Sequence, residues 1–113
     1  MNSISKADID KSFGKILRDF RLKNDLTQEQ LSEKLGISLK YISRIENGNN
    51  GVKTQTLIRY MNILGITPNT IYSSLIDNEE VSKNIAISEK LISLPDDKKE
   101  FINSIIDLLQ DLK

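Results

Sequence analysis

Residues 28–47 read QEQLSEKLGISLKYISRIEN, and the fold turns on how this stretch is read. Leu31 and Leu35 stand four residues apart, on one face of a helix. Ile42 and Ile45 stand three apart, on a face of a second helix. Gly36 separates the two, a residue type that takes positive φ after a helix end without a Cβ clash. Thr27 and Ser38 each precede a helix with a hydroxyl that can accept from a free backbone N–H. Two short helices, a glycine turn and facing apolar sides make a helix-turn-helix. The same pattern also suits a plain αα-hairpin in a helical bundle.

Working outward, the 113-residue chain has room for one ordinary domain, or a small domain with an appendage. At 38% hydrophobic and 28% charged it has the composition of a soluble globular protein. It has no cysteine, which excludes disulfides and thiolate zinc sites. It also has no histidine, which removes Ser-His triads, imidazole metal sites and the usual near-neutral general base. No glycine-rich phosphate loop follows a strand and no strand pattern occurs, so no enzyme is expected. Neither cofactor nor metal is expected. The start lacks a long apolar run, so neither signal peptide nor membrane span is expected, and the location is read as cytoplasmic.

The net charge is zero, but unevenly distributed. Residues 1–76 carry eleven Lys/Arg and seven Asp/Glu, a balance of +4; residues 77–113 carry five and nine, a balance of −4. The helix-turn-helix lies in the basic part, which suits a nucleic-acid face beside a separate acidic module.

Taken in order, residues 1–9 are polar and expected to fray. Phe13, Ile16, Leu17 and Phe20 then give an amphipathic first helix from Asp10 to about Lys23. Asn24-Asp25 breaks it, and Leu26 is placed as a hydrophobic staple for the next helix. Helices two and three cover about 28–35 and 39–47, followed by the turn cluster Asn47 to Gly51. A fourth helix is expected from Thr54 to Leu64, ended by Gly65. Thr67-Pro68 opens a fifth, through Ile71 and Tyr72 to Leu75. After a polar stretch at 77–80, Val81, Ile85, Ile87, Leu91, Ile92 and Leu94 predict a sixth helix. Pro95 opens a last one, with Asp96 and Asp97 where the helix dipole favours negative charge. There Phe101, Ile105, Leu108 and Leu112 form a stripe, widened by Ile102, Ile106 and Leu109. At roughly 1.5–3 kcal/mol per buried side chain, seven such residues need a covering surface. The expected architecture is therefore all-α, with a domain at 1–76 and a helical segment at 77–113.

The central segment resembles the Cro and phage-repressor (Xre-type) helix-turn-helix family. The matching positions are Gln28, Leu31, small Ser32 where the helices come closest, Leu35, Gly36, Ile37, Ile42, Ile45 and the closing Glu46-Asn47-Gly48. The resemblance covers about Phe13 to Leu75 and implies a five-helix, lambda-repressor-like DNA-binding domain, the second helix of the motif entering the major groove. Carried over, Leu39, Lys40, Ser43 and Arg44 are the base-reading candidates. Arg44 leads, because a guanidinium can bond guanine O6 and N7 together. Gln28, Ser38, Tyr41, Asn47, Asn49 and Lys53 are the phosphate candidates. Arg21 and Glu46 match positions that form a buried ion pair in relatives. Two departures stand out. Leu39 replaces the glutamine common in phage repressors, and Asn49 to Val52 lacks their basic, proline-containing loop.

The resemblance implies a regulator of transcription that reads double-stranded DNA. It is expected to act as a repressor on a palindromic operator, as a homodimer joined through Phe101, Ile102, Ile105, Ile106, Leu108, Leu109 and Leu112. The alternative is an antitoxin, or an interaction protein whose tail is captured by an antagonist or toxin.

Overall fold

Four of the five helices in the N-terminal part start where a hydroxyl accepts from an otherwise free N–H: Ser5, Thr27, Ser38 and Thr67. The structure is a computed structural model and describes residues 4–112. All its described regular elements are helical: α1 Lys6–Lys23, α2 Gln28–Leu35, α3 Leu39–Glu46, α4 Thr54–Leu64, α5 Pro68–Tyr72, a 3-10 turn at Ser73–Leu75, α6 Glu79–Ile92 and α7 Asp96–Asp111. The chain divides into two units, one through Leu75 and one from Ile76.

In the first unit, α1 begins earlier than the apolar spacing predicts. Ser5 Oγ accepts from Asp8 N–H at 3.1 Å, and Lys6 Nζ meets Asp10 Oδ2 at 2.7 Å. Ile9, one turn before Phe13, packs against the core. Residues 6–9 are therefore helical where fraying was expected; of that expectation, residues 1–3 lie outside the described part. Thr27 and Gln30 cap α2 reciprocally, Thr27 Oγ1 accepting from Gln30 N–H at 3.0 Å and Gln30 Oε1 from Thr27 N–H at 2.9 Å. Gly36 ends α2 at φ +67°, left-handed backbone that an L side chain rarely adopts. Ser38 Oγ then caps α3 at Tyr41 N–H, 3.1 Å away. Helix α3 stops at Glu46, with Asn47 as its cap. The fifth helix is shorter than expected, because the chain tightens from α to 3-10 geometry after Tyr72.

The core is assembled by these helices together with Ile66 from the turn between α4 and α5. Leu17, Leu31, Ile42, Ile45, Tyr60 and Ile71 are completely buried within it. Leu26 packs at its edge, the place expected of a staple residue. Helix α1 crosses α3 at Gly14. A Cβ there would lie 2.3 Å from Ile45 O and 3.1 Å from Glu46 O, so the two backbones are in direct contact.

The second unit is a pair of helices. Asn78 Oδ1 caps α6 at Val81 N–H, 3.0 Å away, while α7 follows Pro95 with Asp96 and Asp97 in its first turn. Leu91 and Ile92 of α6 line a groove with Ile102 and Ile106 of α7. Neither helix buries a residue fully. No helix among the described residues is long and apolar enough to cross a membrane.

Candidate nucleic-acid interface

Helix α3 has two sides of opposite character. Ile42 and Ile45 are completely buried, whereas Leu39, Lys40 and Arg44 are exposed and Ser43 is half-buried. The four outward residues form two i, i+4 pairs, 39 with 43 and 40 with 44, so they share one face. Among the described residues the side chains of Lys40 and Arg44 take part in no hydrogen bond or ion pair. Two cations therefore stand ready on a helix whose other side is fixed.

The fixing is done at both ends. Ser38 begins α3 through its cap. At the far end, Arg21 of α1 grips Glu46 in a fork, Nε to Oε2 at 2.8 Å and Nη2 to Oε1 at 2.9 Å. Arg21 Nη1 also donates to Leu26 O at 2.8 Å, holding the loop ahead of α2. The hydrogen bond to Glu46 raises the guanidinium pKa above its usual value, against the opposing effect of burial. Each residue is only 8% exposed, so this is a desolvated pair in which each charge depends on the other.

Gln28 joins the pair, its Nε2 donating to Glu46 Oε1 at 3.1 Å. This ties the first residue of α2 to the last of α3. Of the other phosphate candidates, Ser38 spends its hydroxyl on the cap, and Tyr41 OH accepts from Lys53 N–H at 3.3 Å, linking α3 to the start of α4. Asn47, Asn49 and Lys53 are exposed, and Asn49 N–H donates to Arg44 O at 2.9 Å, so the loop after α3 folds back onto its end. The structure thus gathers Gln28, Arg21 and Glu46 into one cluster and leaves Leu39, Lys40 and Arg44 outward.

Three contributors escape the sequence reading. Gly14 permits the α1–α3 contact; a lone glycine inside an apolar-periodic helix was the available signal. Arg59 Nη1 donates to Leu35 O at 3.2 Å, capping the C-terminal end of α2 from α4. Tyr60 is completely buried, its hydroxyl without a partner among the described residues. Burial, and then the negative charge of Glu46, push its pKa well above the ordinary phenol range. Neither Arg59 nor Tyr60 carries a local pattern that announces its contact.

Residues 17–71 match the family model described as Helix-turn-helix. Among solved structures, the chain is similar to the restriction-modification controller protein C.AhdI from Aeromonas hydrophila, with 27% identity, covering 55% of this chain and 94% of that one at a TM-score of 0.52. It is similar also to the clp gene regulator ClgR from Corynebacterium glutamicum, with 26% identity, covering 74% of this chain and 86% of that one at a TM-score of 0.52. A mutant of the controller protein C.Esp1396I shares the fold at 23% identity, covering 66% and 90% at a TM-score of 0.53. No curated protein matches the chain.

Proposed function

We propose that this chain, whose residues 17–71 match the Helix-turn-helix family model, is a DNA-binding regulator of transcription that reads duplex sequence through α3. One observation carries the reading: α3 is clamped from inside and at both ends, while Leu39, Lys40 and Arg44 are left unengaged on its outer side. A helix of about 10–12 Å diameter fits the major groove of about 12 Å width. Arg44 suits guanine, Lys40 suits guanine or phosphate, and Leu39 suits a thymine methyl group. Ser43 completes the reading face. Asn47, Asn49 and Lys53 serve the phosphates beside the groove, and Gln28 does so through whatever hydrogen-bonding capacity Glu46 leaves it.

The regulator acts as a homodimer on a palindromic operator. One helix in one groove gives limited affinity, and two copies about 34–36 Å apart read one face of the duplex together. The partner surface is the apolar side of α7. Bound across a promoter, the dimer represses by excluding polymerase. The solved relatives named as a restriction-modification controller and as a clp gene regulator suit this class of role. It acts in the cytoplasm, where its DNA is.

In vitro selection from a random duplex library tests the reading. The expected result is a palindrome whose half-sites lie one helical turn apart. Recovery of no preferred sequence would remove sequence-specific regulation. The open apolar side of α7 also suits capture by an antagonist or toxin. Light scattering separates the two readings: a discrete dimer supports the regulator, and aggregation of the lone chain supports the captured protein.

A further inference from the structure

The turn that follows α3 contains both of the chain's asparagine-glycine pairs, Asn47-Gly48 and Asn50-Gly51. Such a pair can react with itself, because glycine puts no side chain in the way of its own nitrogen as that nitrogen attacks the preceding carboxamide. The fold treats the two pairs differently. Gly48 N–H donates to Ile45 O at 3.0 Å, and Gly48 lies so close to α1 that a Cβ there would meet Lys11 Cγ at 2.9 Å. Its nitrogen is tied into the end of α3. The N–H groups of Asn49 and Asn50 both donate to Arg44 O, at 2.9 and 3.3 Å, whereas Gly51 N–H donates to no group among the described residues. The Asn50 carboxamide also takes part in no hydrogen bond there, and Asn50 and Gly51 are each half-buried, within reach of water.

We propose that Asn50 is a site of spontaneous deamidation whose products weaken the grip of this chain on DNA. The Gly51 nitrogen gives its proton to hydroxide and attacks Asn50 Cγ. The N–Cγ bond forms and the Cγ–Nδ2 bond breaks, the nitrogen leaving as ammonia with a proton from water, which restores the hydroxide. Water then opens the five-membered imide at one of its two carbonyl carbons. Opening on one side leaves aspartate; opening on the other leaves isoaspartate, with the main chain running through the former side chain. Water is the only reagent consumed.

Either product puts a negative charge between Asn49 and Lys53, in the turn read above as meeting the phosphates, and like charges repel. Isoaspartate also lengthens the main chain by one carbon beside Gly51. On that flank Asp10 Oδ1 and Lys6 Nζ already stand 3.2 and 3.5 Å from where a Cβ on Gly51 would lie. Asp10 is buried and held by Lys6 at 2.7 Å, so the turn, not α1, has to shift. The chemistry at Asn50 stands apart from the functional reading, and its effect on DNA rests on that reading.

The test is to warm the full chain in mildly alkaline buffer and follow both residues. Peptide mapping by mass spectrometry should find acid in place of amide at Asn50 well before Asn47, with isoaspartate in the same peptide. On a random-sequence duplex, the aged chain and Asn50→Asp should bind about fivefold more weakly than fresh chain, the factor that a like charge about 4 Å from a phosphate gives in water. Their salt slope should be shallower by about 1. Asn50→Gln, whose longer side chain closes a ring far more slowly, should keep its affinity through the same treatment. Conversion at Asn47 first, or at neither residue, would overturn the site. Aged chain that binds as fresh chain does would overturn the consequence, as would Asn50→Gln that loses binding at the parent's rate. If fresh chain binds no duplex, the functional reading has failed, and peptide mapping alone then decides the site at Asn50.

Discussion

Both carboxylate oxygens of Glu46 are held by the guanidinium of Arg21, at 2.8 and 2.9 Å, in a site nearly closed to water. Such a pair is expensive to bury and more expensive to break on one side. Glu46→Ala or Arg21→Ala should cost about 3–5 kcal/mol, read from urea denaturation. Replacing both together, Arg21→Met with Glu46→Leu, should cost much less than the two single changes summed. Parent-like unfolding of Glu46→Ala would mean that the pair contributes no net stability. Arg21→Lys should not rescue, because an ammonium cannot present the paired N–H groups of the fork.

The close crossing of α1 and α3 gives a second test. On propensity alone, Gly14→Ala should stabilise α1 by roughly 1 kcal/mol. The added methyl, however, would sit 2.3 Å from Ile45 O, a backbone atom that cannot swing aside. The net effect should be a loss of about 1–3 kcal/mol, the usual cost of overpacking, with weaker DNA binding as α3 is pushed from its seat. Unchanged or raised stability in thermal melts would show that the helices separate without penalty.

Tyr60 supplies a pH dependence. Its folded-state pKa is raised, chiefly by burial and then by Glu46, so the neutral phenol is the form that the fold prefers. The stabilisation is fully present below the unfolded pKa of about 10 and is lost as pH climbs toward the folded value. Urea midpoints of the parent should therefore fall as pH rises beyond about 10, and those of Tyr60→Phe should fall less. Near neutrality Tyr60→Phe should cost little, since the hydroxyl it removes has no partner. Identical alkaline profiles for the two chains would refute this.

On DNA, Arg44→Ala should lose about 1–3 kcal/mol of discrimination at one base pair and keep its fold. Competition binding across a set of operator variants measures this. Uniform loss over all sequences would reassign Arg44 to a phosphate. Parent affinity should fall with salt, at a log–log slope of about −0.9 per phosphate neutralised. A flat response would exclude backbone contact.

Much of the fold was legible because its signals are local. Thr27, Gly36 and Ser38 act on backbone groups within three or four residues, so their spacing suffices to bound α2 and α3. The start of α1 is not legible in the same way, because Ile9 stands alone among polar residues and only the packed structure shows it on the core one turn before Phe13. The extended α5 was overestimated because spacing does not distinguish α from 3-10 geometry over three residues. In the site, the outward set on α3 follows from helical period. Gln28 bonding to Glu46 does not, since eighteen residues and a turn separate them and only the packed structure brings them within 3.1 Å. The α7 stripe was read as one surface. That Ile102 and Ile106 share a groove with Leu91 and Ile92 required the neighbouring helix.

That α3 is fastened entirely by its inner side and its two ends has a bearing on inheritance. Leu39, Lys40 and Arg44 carry none of the hydrogen bonds or ion pairs that keep the helix seated, so a lineage can exchange them at little cost in folding. If these residues read the duplex as proposed, the address that the protein recognises can change at three codons while the frame beneath is passed on intact.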